Sequence, residues 1–196
     1  MAGGISYPKS WTDVANQALG RLGTKQIGTI SETTNPNANY CRKFIGGAVE
    51  DVFNEFSWKA ATKRVQLAQL TDTPAYGFEY QYQLPSDFIR CVEVDAGGEK
   101  WSIEGEQLLT DADEVYITYT ARPADATKLP PYLRNLIAIR LADILSGPIT
   151  KSESTQTKIR AEYKEALARA LSADGGRRDE QTAAEDLGFT YYDELR

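Results

Sequence analysis

Hydrophobic and polar positions alternate most strictly over residues 78–84, where Phe78, Tyr80, Tyr82 and Leu84 fall on one face of an extended chain and Glu79, Gln81 and Gln83 on the other. A period of two is what a half-buried β-strand requires. Pro85-Ser86-Asp87 breaks the run, because proline cannot donate to a ladder and Ser and Asp bond to their own backbone. It reads as a corner. The extended pattern resumes over 88–94, Gly97-Gly98 supplies a turn, 100–104 reads as a strand, and Glu104-Gly105-Glu106 makes a tight reversal into 107–110. The last strand covers 114–120, with Val115, Ile117 and Tyr119 on one face. The spacing of turn signals predicts an antiparallel meander of about five strands. Residues 63–70, with Val65 and Leu67 pointing one way, lead into it through a turn-rich link at 71–77.

On either side of this block the period changes to that of helices. Ser10 and Asp13 have the spacing of a capping box, and Trp11, Val14, Ala15, Ala18 and Leu22 recur at helical intervals until Gly23. Residues 24–34 are polar and aperiodic, which predicts an exposed connection. Asn35-Pro36 supplies a cap and a first-turn proline for a second helix, whose stripe is Cys41, Phe44, Ile45, Ala48, Val49, Val52, Phe53 and Phe56, ended by Ser57-Trp58. Gly46-Gly47 inside it costs about 1 kcal/mol per glycine relative to alanine, so a neighbouring element is expected to approach its backbone closely. After a polar linker at 122–128, Leu129-Pro130-Pro131 positions a third helix. Leu133, Leu136, Ile137, Leu141, Ile144 and Leu145 form its stripe, Ala138, Ile139 and Ala142 widen it toward full burial, and Gly147-Pro148 is expected to stop it. The fourth helix is expected from Ser152 or Ser154 to Ala173, burying Ile159, Tyr163, Leu167 and Leu171, pairing Glu165 with Arg169, and closing at Asp174-Gly175-Gly176.

The fold expected is therefore α+β: a four-helix body from two N-terminal and two C-terminal helices (residues 1–62 and 122–175), an inserted antiparallel β-meander domain (63–121), and a C-terminal extension (176–196). Residues 1–9 read as a flexible arm. The extension is charged and poor in aliphatics until Leu187, then ends in Phe189, Tyr191, Tyr192 and Leu195. A polar spacer before an aromatic cluster at a terminus suits either a frayed end or a segment that folds onto a partner.

Composition narrows the chemistry. The chain of 196 residues has a formal net charge of −6 and no histidine, which removes the commonest general base, metal ligand and pH switch together. Net acidity also argues against gripping DNA phosphates by counterion release, although Lys59, Lys63, Arg64, Arg134, Arg140 and Arg177-Arg178 are scattered along the chain. No apolar run is long enough for a bilayer, and residues 1–7 lack the basic and apolar regions of a signal peptide, so a protein made and used in the cytosol or in an assembly is expected. Cys41 and Cys91 are expected to be free, packed thiols. There is no phosphate loop, dinucleotide fingerprint, nucleophile elbow or zinc-ligand pair, and no cofactor or metal is expected. The carboxylates Glu104, Glu106, Asp111 and Asp113 are the best acid-base candidates, since a glycosidase needs two opposed carboxylates, yet turn positions ordinarily just solvate them. Asp111 and Asp113 also resemble the start of a calcium loop, but Tyr116 stands where that loop needs glycine.

The order of the motifs adds a further pointer. Asn16, Ala18 and Leu19-Gly20 stand in a short helix, a long helix ends in Phe56-Ser57-Trp58-Lys59-Ala60, and then come Tyr80-Gln81-Tyr82-Gln83-Leu84-Pro85-Ser86-Asp87-Phe88-Ile89-Arg90 and Ile103-Glu104-Gly105-Glu106-Gln107-Leu108-Leu109-Thr110, a Tyr-rich strand and two closing helices. This order, from Ser10 to about Leu171, resembles the tail tubular protein A family, the head-to-tail adaptors (connectors) of tailed bacteriophages of the podovirus type. The resemblance implies a structural virion protein in the tail or neck beneath the portal, synthesised in the host cytoplasm, and no enzymatic activity. It implies a dodecameric ring that joins the portal protein to the tail nozzle or tube and forms part of the DNA ejection channel, with no membrane partner and with tail fibres as a further candidate partner. Phe189, Tyr191, Tyr192 and Leu195 are then the portal-docking candidates. Twelve copies at −6 each carry −72, and a like-charged wall repels DNA over roughly 8 Å at physiological salt, which favours sliding over sticking. Two other readings stand beside this one: a neck or tail-completion protein of a longer-tailed phage, and a small carboxylate-based hydrolase using Glu104.

Overall fold

Ser10 and Asp13 cap each other's backbone: the Asp13 amide donates to Ser10 Oγ at 3.1 Å and the Ser10 amide donates to Asp13 Oδ2 at 2.9 Å. From that box grows helix α1, Trp11–Arg21, in a computed structural model that describes residues 10–175. Helix α2, Pro36–Glu55, starts at Asn35, whose Oδ1 accepts from the Asn37 amide at 3.0 Å. Helices α3, Pro131–Thr150, and α4, Glu153–Gly175, follow the β-strands. The chain is α+β with four helices and antiparallel sheets. It divides into two compact units, one from the described residues of Met1–Ala48 and Asp125–Arg196, the other Val49–Ala124, so the division falls inside α2.

In the helical unit α3 packs against both α1 and α4. Its near-continuous apolar sequence follows from that position between two neighbours: Leu133, Leu136, Ile137, Ile139, Leu141 and Leu145 are all fully buried. Polar groups tie the three helices together. Arg21, in the last turn of α1, donates to Glu162 Oε1 at 2.9 Å, to Asn135 Oδ1 at 2.7 Å and to the Gln17 carbonyl at 3.1 Å. Buried Asp143 on α3 accepts from Arg140 at 3.2 Å and from Arg160 of α4 at 3.1 Å. The Glu165 and Arg169 pair forms at 3.8 Å, but both side chains are largely in water and contribute little.

Four local expectations are corrected here. Residues 24–34 are not simply an exposed connection. Ile27 is buried, and the Asn16 side chain both donates to its carbonyl at 3.0 Å and accepts from its amide at 2.8 Å. One apolar residue in a polar run leaves no periodic trace, so only the folded chain reveals this anchor. Gly147-Pro148 does not end α3, which continues to Thr150 and stops at Lys151 in the left-handed conformation, φ 50°. Pro148 lies in the last turn, where the missing amide costs only one bond at the end of the ladder. On α4 the buried positions are Ile159, Ala166, Ala170 and Asp174, while Tyr163, Leu167 and Leu171 are half-buried at the margins. Asp174 lies within the helix and accepts from the Tyr132 hydroxyl at 2.8 Å; the remainder of the expected closing motif, Gly176, lies outside the described residues. Finally, Gly46 and Gly47 are exposed and an added Cβ would meet nothing within 4 Å at either, so no element among the described residues makes the close approach they suggested.

The β unit holds seven strands: β1, Thr62–Gln66; β2, Ala68–Gln69; β3, Tyr80–Gln83; β4, Phe88–Asp95; β5, Trp101–Glu104; β6, Gln107–Thr110; and β7, Tyr116–Ala121. They form a three-stranded antiparallel sheet in the order β1-β7-β4 and a four-stranded one in the order β2-β3-β6-β5, in place of a single meander. The turn signals marked the reversals correctly, but turns do not dictate which edges pair. The β5–β6 hairpin is the one expected, with Gly105 at φ 62° in the first of its two loop positions, as a type II′ turn demands. The Pro85–Asp87 corner instead hands the chain from one sheet to the other. Both sheets contribute to one core, Leu67, Tyr82, Leu84 and Leu108 meeting Val115, Ile117, Tyr119 and Ala121. Trp58 is fully buried, and its indole donates to the Val52 carbonyl at 2.8 Å.

Two stability changes follow. Asn16→Ala frees both backbone groups of Ile27 in a partly buried setting and lowers unfolding stability by about 1–3 kcal/mol. Gly46→Ala and Gly47→Ala, with open space at both, raise the stability of the isolated chain by up to about 1 kcal/mol each. Denaturant midpoints at constant slope measure all three; a destabilised alanine variant at either glycine would show that its backbone is in contact after all.

Candidate interaction surface

The three-stranded sheet is uncovered at its first edge. All five residues of β1 are exposed, including Val65, which is 38% accessible although its partner Ile117 on the next strand is 2%. In a sheet with one face on a core, alternate positions should be covered. Here the core row ends one strand short. The register aligns three cross-strand rows, Arg64 with Thr118 and Glu93, Val65 with Ile117 and Val94, and Gln66 with Tyr116 and Asp95. The middle row faces the core. The first and third face outward around a shallow depression of about 360 Å³, which Val65 and Ile117 also line and where Tyr116 is 45% accessible. On the opposite edge, β4 carries bulges at Ile89 and Val92, and Val92, Glu93 and Asp95 are exposed. Trp101 on β5 and Tyr76 in the loop before β3 are exposed as well. The sequence marked Arg64 only as one of several scattered cations; the alternation Arg64-Val65-Gln66 was the available signal, and it needed the register to become a surface.

At the base of the same sheet Asp87 joins three elements. Burial works against its charge, but hydrogen bonds from Lys63 Nζ at 2.5 Å and from the Tyr119 hydroxyl at 2.9 Å, with the Lys63 charge, outweigh that and hold the carboxyl below its ordinary range. Burial, and then the hydrogen bond to Asp87 and its charge, push the Tyr119 phenol up to about 12. Neither group is poised for proton transfer near neutrality. They fasten β1, the corner and β7 together.

The carboxylates singled out for acid-base work are spread along exposed turns. Glu104 ends β5 and Glu106 sits in the hairpin loop; Asp111 accepts from the Glu79 amide at 2.8 Å, and Asp113 lies near enough to the Tyr80 hydroxyl for its charge to push that phenol up. None of the four lines the depression. Burial pushes the Cys41 thiol up to about 11 and the Cys91 thiol upward too, and both cysteines are free. Among the described residues no group of three or more His, Cys, Asp or Glu side chains could hold a metal ion, and no helix is long and apolar enough to cross a membrane. Phe189, Tyr191, Tyr192 and Leu195 lie outside the described residues.

No family model and no curated protein matches this chain. The surface must therefore be read on its own chemistry: two strand edges, one carrying Arg64 and the other Glu93 and Asp95 on the outward face, with an apolar row on the core face. These are features of a surface that binds an extended chain.

The Asp87 cluster predicts how the β unit responds to pH. Tyr119 binds its proton more tightly folded than unfolded, so its stabilising contribution is complete below about 10 and is lost as pH rises toward about 12. Asp87 acts in the opposite sense, its contribution present above about 3.8 and lost as pH falls through its lower folded value. Tyr119→Phe should flatten the alkaline loss and Asp87→Asn the acid one, measured as denaturant midpoint against pH. Unchanged slopes in both limbs would show that the cluster does not report on folding.

Proposed function

We propose that the chain is a head-to-tail adaptor of a tailed bacteriophage: a structural virion protein, not an enzyme, that forms a ring of twelve between the portal and the tail nozzle or tube and lets the genome pass through its centre. In this reading the protein is made in the host cytoplasm and functions in the neck of the virion. What supports it is one arrangement, an antiparallel β unit entered after two helices and left before two more, in the same order as the motifs that carry the resemblance to the tail tubular protein A family. The exposed strand edge and the aromatic side chains of the β unit suit a protein that works by contact.

Within this reading Phe189, Tyr191, Tyr192 and Leu195 anchor the portal contact, because buried aromatic anchors dominate interface energies. The tail nozzle and the tail fibres are the partners below. Removal of residues 177–196 should leave a chain with unchanged circular dichroism and unfolding midpoint that no longer co-sediments with portal rings. Full attachment of the truncated chain would move the anchor elsewhere, and absence of attachment by the complete chain would remove the adaptor reading itself.

A further inference from the structure

The two edges of the three-stranded sheet complement each other. β1 offers Arg64 outward and Val65 inward, and β4, two strands away at the same level, offers Glu93 outward and Val94 inward. Both strands pair on one side only, with β7, and among the described residues no backbone group from elsewhere bonds along their outer edges. We propose that β1 of one copy pairs with β4 of the next, so that the sheet runs on from subunit to subunit.

Three observations fix the occupant as a second copy. The charges match: a basic position at one edge and an acidic one at the other, in the same outward row. Inside one copy Arg64 and Glu93 are kept apart by β7, roughly 9.5 Å or two strand spacings; across the junction they are neighbours at one spacing. The apolar row matches as well, since continuing the register puts Val94 beside the neighbour's Val65 and covers the 38% of that side chain the core leaves bare. The direction also matches. β1 and β4 are each antiparallel to β7 and hence parallel to one another, so a head-to-tail repeat joins them as a parallel pair without inverting the subunit. Such a contact is heterologous and closes into a ring when its rotation permits. Charged residues on an edge normally keep strands of other molecules away. Here they select one, because β4 offers Glu93 and Asp95 in the row that matches Arg64 and Gln66 of β1.

This deepens the ring proposed above and rests on it for closure alone. The test is a cross-link. Gln66 and Asp95 stand opposite each other through Tyr116 in one copy, too far for a disulfide, so in Gln66→Cys/Asp95→Cys, made in a Cys91→Ser background, any bond between them joins two molecules. Oxidation of the full chain should give a ladder of covalent dimers, trimers and higher species on non-reducing gels. Adding Arg64→Glu should cut the ladder at least tenfold, and combining it with Glu93→Arg should restore it. Oligomers in sedimentation that never cross-link, or a ladder indifferent to Arg64→Glu, would overturn the edge pairing while leaving the ring. A charge-dependent ladder from a chain that ignores portal would uphold the pairing and remove the adaptor reading. A chain monomeric both with and without portal would overturn both.

Discussion

The hydrogen-bonded ladder between β1 and β7 is the constraint on which the β unit depends. The chain leaves the helices, builds seven strands and returns, and Thr62 of the first ends opposite Thr120 of the last. Bringing two such distant points together costs on the order of 3–4 kcal/mol in chain entropy beyond a constant. The ladder alone would not offset it. Val65 has little cover, and what holds the closure is behind it: the Ile117 and Tyr119 row on the core, and Asp87, which accepts hydrogen bonds from Lys63 of the entering strand and Tyr119 of the leaving one. The Arg122 amide, just past β7, donates to the Asp87 carbonyl at 2.6 Å and fixes the exit to the same corner.

The closure also explains the split into two sheets. Once β7 is committed to β1, its other side is the one place left beside it, and β4 takes that place after the Pro85–Asp87 corner has turned it away from β3. β3 then pairs with β2 and β6 and not with β4, the strand that follows it in sequence. The two sheets share one apolar core because Leu67 bridges them, its amide bonded to the Val115 carbonyl at 2.9 Å where one sheet gives way to the other. The helical unit is organised differently, around a helix buried on most sides. On α4 the small Ala166 and Ala170 are buried beside Ile159 while Leu167 and Leu171 stay half-buried, and small side chains let helix axes approach.

Local signals were therefore legible and long-range ones were not. The Ser10 and Asp13 box, the Asn35-Pro36 start, the Val115, Ile117 and Tyr119 face and the Gly105 hairpin are all set by atoms within a few residues, and the sequence displays them directly. The β1–β7 pairing is set by residues far apart, and alternation in one strand cannot say which strand will lie beside it. Pro148 failed as a stop signal for a related reason: the penalty of proline depends on how much helix follows it, and only a turn follows here. The candidate surface was the least legible part. Its charges are ordinary singly, and they become a pattern only when the register lines Arg64 up with Thr118 and Glu93.

What remains unexplained by a solitary chain is informative in itself. An exposed helix position with free space around its Cβ favours alanine over glycine by about 1 kcal/mol, and α2 carries two such glycines side by side. A valine whose cross-strand partner, Ile117, is buried favours a covered position, and Val65 lacks one. Neither feature stabilises the isolated fold, and the first opposes it. If the surfaces that carry them are covered by other molecules in the assembled particle, the bare Val65 becomes part of a continuous apolar row, and the missing Cβ atoms at Gly46 and Gly47 become room for a neighbour's approach. The proposal of a ring thus accounts with one assumption for two departures from what the fold of a single molecule would select.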